Sequence, residues 1–270
     1  MKSSKRIMLK TRKFFVGDKL GNHLSKYKGE GYDFTELREY QFGDDIRKID
    51  WNISAKLQKP HVKIFNEERE LNVVAVPLLS ASTYFGGKVL KQETIAEIVA
   101  TLGQMATVNM DNFSTHIFAD REYFYGKPSK KSGAVEKSVD EILNFSPLQK
   151  KLNPDLIVET LLQKVKKKSL VFIISDFYTK LDLRYLAKKC EVIAVVVRDE
   201  VEENPPPFGF ASLVDSESGE VLNGNFANSE TYIENLKKYD YETFKDFKKW
   251  GVRVVKFQNG KNLNEGLRKI

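Results

Sequence analysis

The stretch ELNVVAVPLLS (70–80) decides the fold of this chain. Its apolar residues follow one another without the alternation expected of a half-exposed strand, and valine dominates. Such a run predicts a β-strand that is buried on both faces, as in a parallel sheet. Further runs of this kind occur later in the chain, and they are SLVFIISDF (169–177), EVIAVVVRD (191–199) and VRVVKFQ (252–258).

Helical patterns separate these buried strands. In the segment 93–110, Ile95, Ile98, Val99 and Leu102 recur at helical spacing and predict one apolar face. The other predicted helices span 134–145, 155–166, 181–189 and 229–249, and shorter strands are predicted at 113–119 and 121–125, with a hairpin centred on 217–219. Strands that alternate with helices predict an α/β fold, with a mostly parallel sheet flanked by helices.

The chain is predicted to have two parts, an N-terminal extension (1–69) and an α/β domain (70–270). The extension is charged and irregular, apart from a strand predicted at 59–65 from its period-two pattern. The chain has 270 residues, of which 41% are hydrophobic, so it can bury a sizeable core. The single cysteine, Cys190, excludes an internal disulfide framework. The absence of a signal-peptide pattern and of a long apolar run predicts a cytoplasmic protein.

Carboxylates, cations and aromatic residues alternate in DFTELREYQFGDDIRKIDWNISAK (33–56). Three interpretations are open for this stretch: a catalytic cluster, a binding surface, or a structural network of ion pairs. Each acid has a basic neighbour in the sequence, which favours paired and ionised groups over the separated pKa values that acid–base catalysis needs. We expect the two arginines to form bidentate contacts with carboxylates, and the aromatic residues to dock the segment. The candidate residues are Arg38, Glu39, Tyr40, Gly43, Asp44, Asp45, Arg47, Asp50 and Trp51.

Hydroxyl and carboxylate groups follow two of the buried strands. Ser80 and Ser82 leave the first strand, and Asp176 leaves the strand at 169–177. If these strands are parallel neighbours, their carboxyl ends bring the three side chains together. Hard oxygen ligands of this kind suit Mg²⁺. The nearby SASTYFGGKV (80–89) fails two defining positions of a phosphate-binding loop, so nucleotide binding is not predicted.

The segment 31–74 closely resembles the signature of the domain-of-unknown-function family fifty-eight. Members carry a pattern G-x-x-F-x-x-L-R-x-Y-x-x-G-D-D-x-R-x-I-D-W, which this chain matches from Gly31 to Trp51. The resemblance extends through ISDF (174–177), VRDEVEENPP (197–206) and DSESGE (215–220). It implies a von Willebrand factor A-like (Rossmann-like) domain. It also implies a role as adaptor or partner of a MoxR-type AAA+ ATPase.

The resemblance further implies a degenerate metal-ion-dependent site. Where A-like domains bind metal, Ser80, Ser82 and Asp176 match the expected positions, whereas Leu78 replaces the leading aspartate and Pro154 falls at the threonine position. With a single remaining carboxylate, we expect no metal in the isolated chain, because Mg²⁺ binds weakly without carboxylates or phosphates. A partner's carboxylate could still complete the site.

Three functions follow from these features. The first is a non-enzymatic protein-interaction module that works with the AAA+ ATPase. The alternative is a nucleic-acid or anionic-surface binder, based on the net charge of +7 and the lysine clusters at 127–131 and 165–169. These clusters lack interleaved aromatic residues, which disfavours nucleic acid. The third is a hydrolase that uses the carboxylates of 33–50.

Overall fold

The structure is a computed structural model that describes residues 4–17, 32–67, 70–206, 209–214, 220–225 and 230–261. The chain divides into two compact units: a small one over residues 23–71 and a large one over residues 1–22 and 72–270. No helix in the described ranges is long and apolar enough to cross a membrane. The described strands are β1 (Tyr32–Glu39), β2 (His61–Glu67), β3 (Asn72–Pro77), β4 (Asn112–Phe118), β5 (Glu122–Ser129), β6 (Leu170–Ser175), β7 (Glu191–Arg198), β8 (Phe210–Val214), β9 (Val221–Asn225) and β10 (Arg253–Gln258). The described α-helices are α1 (Ser4–Gly17), α2 (Trp51–Leu57), α3 (Lys91–Val108), α4 (Ser132–Asn144), α5 (Pro154–Lys164), α6 (Arg184–Lys189), α7 (Glu200–Glu203) and α8 (Glu230–Lys249).

A six-stranded sheet in the order β10-β7-β6-β3-β4-β5 forms the centre of the large unit. All neighbouring strands pair in parallel, except that β5 runs antiparallel to β4. The runs that form β3, β6 and β7 are therefore buried strands, as predicted, because a parallel sheet is covered on both faces. The run at 252–258 was also predicted to be a buried strand, but β10 lies at the edge of the sheet, and Arg253 and Lys256 are exposed. The arrangement is consistent with the predicted von Willebrand factor A-like or Rossmann-like architecture.

Helices cover the sheet in two layers. Residues Val74 and Val76 of β3 belong to a core cluster that also contains residues of α5, α6 and α8. Helix α3 contacts β3, β4 and β7, and α1 and α4 lie against it. Because successive strand residues point to opposite faces, α3 covers the other side of β3. Gly103 allows α3 and α4 to approach closely, since a Cβ there would lie 2.6 Å from Val135 Cγ1.

The strand order reverses at β3. From β3 the chain continues through α3 to β4 on one side, whereas β6, β7 and β10 extend the sheet on the other side. A crevice opens at the carboxyl ends of the strands at such a switch point, and ligands of α/β proteins bind there. The segments that follow β3 and β6 meet at this point, and they carry the predicted serines and aspartate.

The small unit is built on an antiparallel pair, β1 and β2. Between these strands lie a 3-10 helix, Ile46–Lys48, and α2. The strand predicted at 59–65 is therefore present as β2. The start of the motif is also regular, because residues 32–39 pair with β2 as β1, where the sequence had suggested irregular backbone.

The first residues of the chain require a correction. They were predicted to be irregular and to belong with residues 23–69, but residues 4–17 form α1, and residues 1–22 group with the large unit. The helix buries Ser4, Ile7, Met8 and Thr11. These positions follow the i, i+3, i+4, i+7 spacing of a helix face. The many lysines and arginines between them had masked this stripe.

Candidate functional site

The structure brings Ser80, Ser82 and Asp176 together at the switch point. The Ser82 hydroxyl donates to Asp176 Oδ2 at 2.6 Å, and the Ser80 and Ser82 oxygens lie 2.7 Å apart. A 3-10 helix over Ala81–Tyr84 follows β3 and presents the serine hydroxyls to the end of β6. The three side chains are therefore in contact, as predicted. That they correspond to the metal site of A-like domains stays a prediction.

A lysine that the sequence analysis did not single out completes this cluster. Lys91 is the first residue of α3 and has a relative exposure of 0%. Its Nζ donates to Asp176 Oδ2 at 2.9 Å and to Glu202 Oε1 at 2.6 Å. The rings of Tyr178 and Phe85 lie 5.3 and 5.9 Å from the ammonium, within the range of cation–π attraction. The cluster thus contains one ammonium, two carboxylates and two hydroxyls.

Glu202 is held in place by a capping box. The Asp199 side chain accepts a hydrogen bond from Val201 N, and the Asp199 backbone N–H donates to Glu202 Oε2 at 3.1 Å. The other oxygen of Glu202 is thereby directed at Lys91. Burial raises the pKa of Glu202, and the neighbouring Lys91 opposes this rise. The capping pattern Asp-x-x-Glu at 199–202 is visible in the sequence. It could have predicted that Glu202 is held at a helix start, but nothing in the sequence links Glu202 to Lys91.

A second buried cation lies beside the cluster. Arg198, at the end of β7, is fully buried, and its Nε donates to the Asp176 backbone carbonyl at 2.5 Å. Its Nη2 donates to Asp240 Oδ1 at 2.9 Å, and the guanidinium lies 3.9 Å from the centre of the Tyr178 ring. Asp176 therefore interacts with one cation through its carboxylate and with another through its backbone.

The cluster does not fit a divalent metal. The oxygen Asp176 Oδ2 already accepts hydrogen bonds from Ser82 and Lys91. Leu78 is fully buried in the apolar core, and Pro154 begins α5 and carries no side-chain oxygen. Within the described ranges, no three His, Cys, Asp or Glu residues form a group that could hold a metal ion.

The residues of the second candidate site lie in the small unit, where ion pairs join the loop to the strands. Arg38 Nη2 donates to both oxygens of Asp44, at 2.9 and 3.0 Å. Asp44 also accepts from Gln41 N at 2.8 Å, and Gly43 has a φ of +105°. The predicted turn is therefore present. Arg38 contacts both carboxylate oxygens through one nitrogen rather than through the predicted fork, and Arg47 Nε contacts one oxygen of Asp45, so the bidentate prediction is wrong for Arg47. Glu39 pairs with Lys59 at the same end of the hairpin.

Two further aspartates of the motif begin helices. Asp45 accepts from Arg47 N and caps the 3-10 helix, and Asp50 accepts from Asn52 N and Ile53 N at the start of α2. Hydrogen bonds from backbone and side chains lower the pKa values of Asp45 and Asp50, as they do for Asp44. The pKa values shift in the same direction and do not separate as in an acid–base pair. These acids therefore act as caps and ion-pair partners.

The aromatic residues of the motif do not all dock the segment, as we had expected. Phe42 is fully exposed, and Trp51 is 65% exposed. Tyr40 is half-buried and lines a groove of about 590 Å³ with Ile46 and Trp51. Hydrogen bonds from backbone N–H groups to the aspartates stabilise the backbone of the loop. Burial of Phe42 and Trp51 is not needed for this, and both side chains are exposed.

Two histidines and the single cysteine lie in or next to strands. His61 and His116 lie in strands, and His116 is buried and hydrogen-bonded to Glu122. Burial raises the pKa of the Cys190 thiol, which lies just before β7. His23 lies outside the described residues, as does the predicted turn at 217–219. The strands of that hairpin are present as β8 and β9.

Comparisons with known proteins agree with the pattern in the sequence. A family model described as "Protein of unknown function DUF58" matches residues 36–238. Uncharacterized proteins from Mycobacterium tuberculosis and Mycobacterium bovis are 28% identical to this chain over 225 residues, which are 79% of this chain and 71% of each relative.

Solved structures with a related arrangement include the conserved hypothetical protein BatB from Bacteroides thetaiotaomicron. It has a TM-score of 0.46 and 15% identity, and the match covers 74% of this chain and 94% of that one. An aerotolerance-related membrane protein from Bacteroides fragilis has a TM-score of 0.44 and 12% identity, and the match covers 74% of this chain and all of that one.

Proposed function

We propose that this chain, which belongs to the DUF58 family, is a non-enzymatic protein-interaction module whose binding surface is the motif loop of its small unit. We define this surface as Phe42, Ile46 and Trp51. A MoxR-type AAA+ ATPase is the partner that we propose, on the basis of the family resemblance.

The exposure of large apolar side chains on an ordered frame is the observation that carries this proposal. Phe42, Ile46 and Trp51 are all more than half exposed, and they lie within a stretch of ten residues. Ile46 and Trp51 line the same groove, and exposed apolar patches are typical of interaction sites. Tryptophan in particular is enriched among the residues that dominate binding energy.

The polar contacts of the loop support the same interpretation. Asp44, Asp45 and Asp50 each satisfy backbone N–H groups beside the exposed residues. A backbone that is already ordered loses less conformational entropy on binding. The lowered pKa values of these acids keep them ionised at neutral pH, so the frame persists under the conditions of binding.

Binding measurements with the MoxR-type ATPase encoded by the same genome test this proposal. We expect Phe42→Ser or Trp51→Ser to weaken binding by about 30-fold, which corresponds to a truncation cost of about 2 kcal/mol at a binding hot spot. The melting temperature should stay unchanged, since neither side chain is buried. Phe210→Ser is the matched control, because Phe210 is 89% exposed and lies in the large unit.

Two outcomes would contradict the proposal. In the first, both serine variants of the motif loop bind the ATPase as tightly as the unmodified chain. In the second, Phe210→Ser weakens binding as much as Phe42→Ser, which would point to a general loss of surface hydrophobicity.

A further inference from the structure

Lys91 lies in a position that is unfavourable for a cation unless something compensates it. Its side chain is 0% exposed, and removing an ammonium from water costs solvation free energy. It is also the first residue of α3, where the helix dipole repels positive charge. The compensation comes from Asp176 and Glu202, which follow β6 and β7 in the chain. Both burial and the helix dipole disfavour a positive charge at this position, so its presence there indicates a specific role.

The ammonium takes up the oxygen atoms that a metal would need. Asp176 Oδ2 lies 2.9 Å from Lys91 Nζ and 2.6 Å from Ser82 Oγ, and Ser82 is in turn bonded to Ser80. Mg²⁺ requires short, nearly octahedral contacts to oxygen, usually with carboxylates among them. A dication at Asp176 Oδ2 would lie within a few ångströms of the ammonium and be repelled by it.

The partners of the ammonium are themselves fixed. Both oxygens of Glu202 are engaged, one by Lys91 and the other by the Asp199 backbone N–H. The Asp176 backbone carbonyl accepts from Arg198. The cluster is therefore closed by contacts within the chain, and the cation shared by its two carboxylates is a covalent part of the protein.

We propose that Lys91 supplies from within the chain the positive charge that a divalent cation would otherwise supply at this switch point. The cluster is consequently independent of metal. Removal of the ammonium leaves two carboxylates and two hydroxyls facing one another, which is a ligand set for Mg²⁺ or Mn²⁺. This inference is independent of the partner proposed for the motif loop.

Metal titration of the full chain and its Lys91→Ala variant tests the inference. We expect no saturable Mn²⁺ binding to the unmodified chain up to about 10 mM, which is above the millimolar affinity of weak oxygen sites. Lys91→Ala should bind Mn²⁺ at least about tenfold more tightly, and Mg²⁺ should raise its melting temperature. Adding Asp176→Asn to this variant should abolish the gain.

The matched control is Lys88→Ala. Lys88 is an exposed lysine three positions before Lys91, so its removal changes the net charge equally without opening the crevice. It should leave Mn²⁺ binding unchanged. The inference is overturned if Lys91→Ala gains no metal affinity, or if the unmodified chain binds Mn²⁺ saturably below that concentration.

Nuclear magnetic resonance of the unmodified chain gives a second measurement that does not depend on a folded variant. The Nζ protons of Lys91 should exchange slowly with solvent, because the group is buried and bonded to two carboxylates. Their resonances should not respond to Mg²⁺. A saturable shift of the Lys91 signals on addition of Mg²⁺ would overturn the inference by itself.

Discussion

Replacement of Lys91 by methionine removes the charge of the switch-point cluster and keeps a side chain of similar length. Asp176 and Glu202 would then lose the ammonium that bonds to both of them in the unmodified chain. Their side chains are only 2% and 12% exposed, so water cannot replace this interaction fully. The variant therefore contains two buried carboxylates that have lost the ammonium they shared, and only the more distant Arg198 remains as a buried cation beside them.

The magnitude follows from this burial. Breaking a buried ion pair by removal of one partner costs about 3–5 kcal/mol. At 2–4 °C for each kcal/mol, the expected fall in melting temperature is roughly 6–20 °C. The free energy of unfolding, measured by urea denaturation and circular dichroism at neutral pH, gives the direct value. Lys88→Met, at an exposed position, should stay within about 0.5 kcal/mol of the unmodified chain.

The free energy of unfolding of Lys91→Met should also depend on pH in a predictable direction. Burial already raises the pKa of Glu202 in the presence of Lys91, and loss of the ammonium raises it further. Between the unfolded and the folded pKa, the folded variant then binds more protons than the unfolded chain. Its free energy of unfolding should therefore rise as the pH falls through the folded pKa, and the deficit relative to the unmodified chain should shrink.

The triple variant Lys91→Met, Asp176→Asn, Glu202→Gln should recover most of the loss, because neutral amides replace the unpaired charges and still accept hydrogen bonds. A loss below about 1 kcal/mol for Lys91→Met at neutral pH would refute the reasoning, since a buried pair must cost more than an exposed one. A deficit that grows on acidification would refute it equally.

Two further pairs of variants test the packing and the motif frame. Gly103→Ala should cost about 1–3 kcal/mol, because its Cβ would lie 2.6 Å from Val135, whereas Gly133→Ala, where no atom lies within 4 Å, should stabilise α4 by about 0.5 kcal/mol in the same denaturation assay. Arg38→Lys should lower stability by about 1 kcal/mol, because one ammonium cannot reach both Asp44 and the Glu39 carbonyl, which Arg38 contacts through two different nitrogens. Arg47→Lys should stay within about 0.5 kcal/mol, because Arg47 is 90% exposed. Equal effects within either pair would contradict the structural assignment.

Much of the fold could be predicted because its signals are local. The continuous run at 70–80 contains a buried strand, and Ile95, Ile98, Val99 and Leu102 all lie on buried positions of α3. Helix α1 was missed because its apolar stripe is short and interrupted by basic residues. Of its four buried positions only Ile7 and Met8 are apolar, so these positions alone do not give a hydrophobic periodicity.

For the motif at 33–56, the sequence predicted the turn and the contact of Arg38 with a carboxylate. It did not predict which aromatic side chains are exposed. The turn at Gly43 and the contact of Arg38 with a carboxylate depend on neighbouring residues, and both are present. The exposure of Phe42 and Trp51 depends on what the rest of the small unit covers. Composition cannot decide this, because an apolar residue in a charged segment is compatible with either position.

The sequence by itself determined the class of fold, the bounds of most helices and strands, and the serine and aspartate groups at the ends of two strands. Only the tertiary structure decided the strand order, and with it the meeting of those groups. It also decided the contacts of Lys91, which is separated from Asp176 and Glu202 by 85 and 111 positions in the chain. Local patterns specify which residues form a strand, whereas pairing between distant charges depends on which strands become neighbours in the sheet.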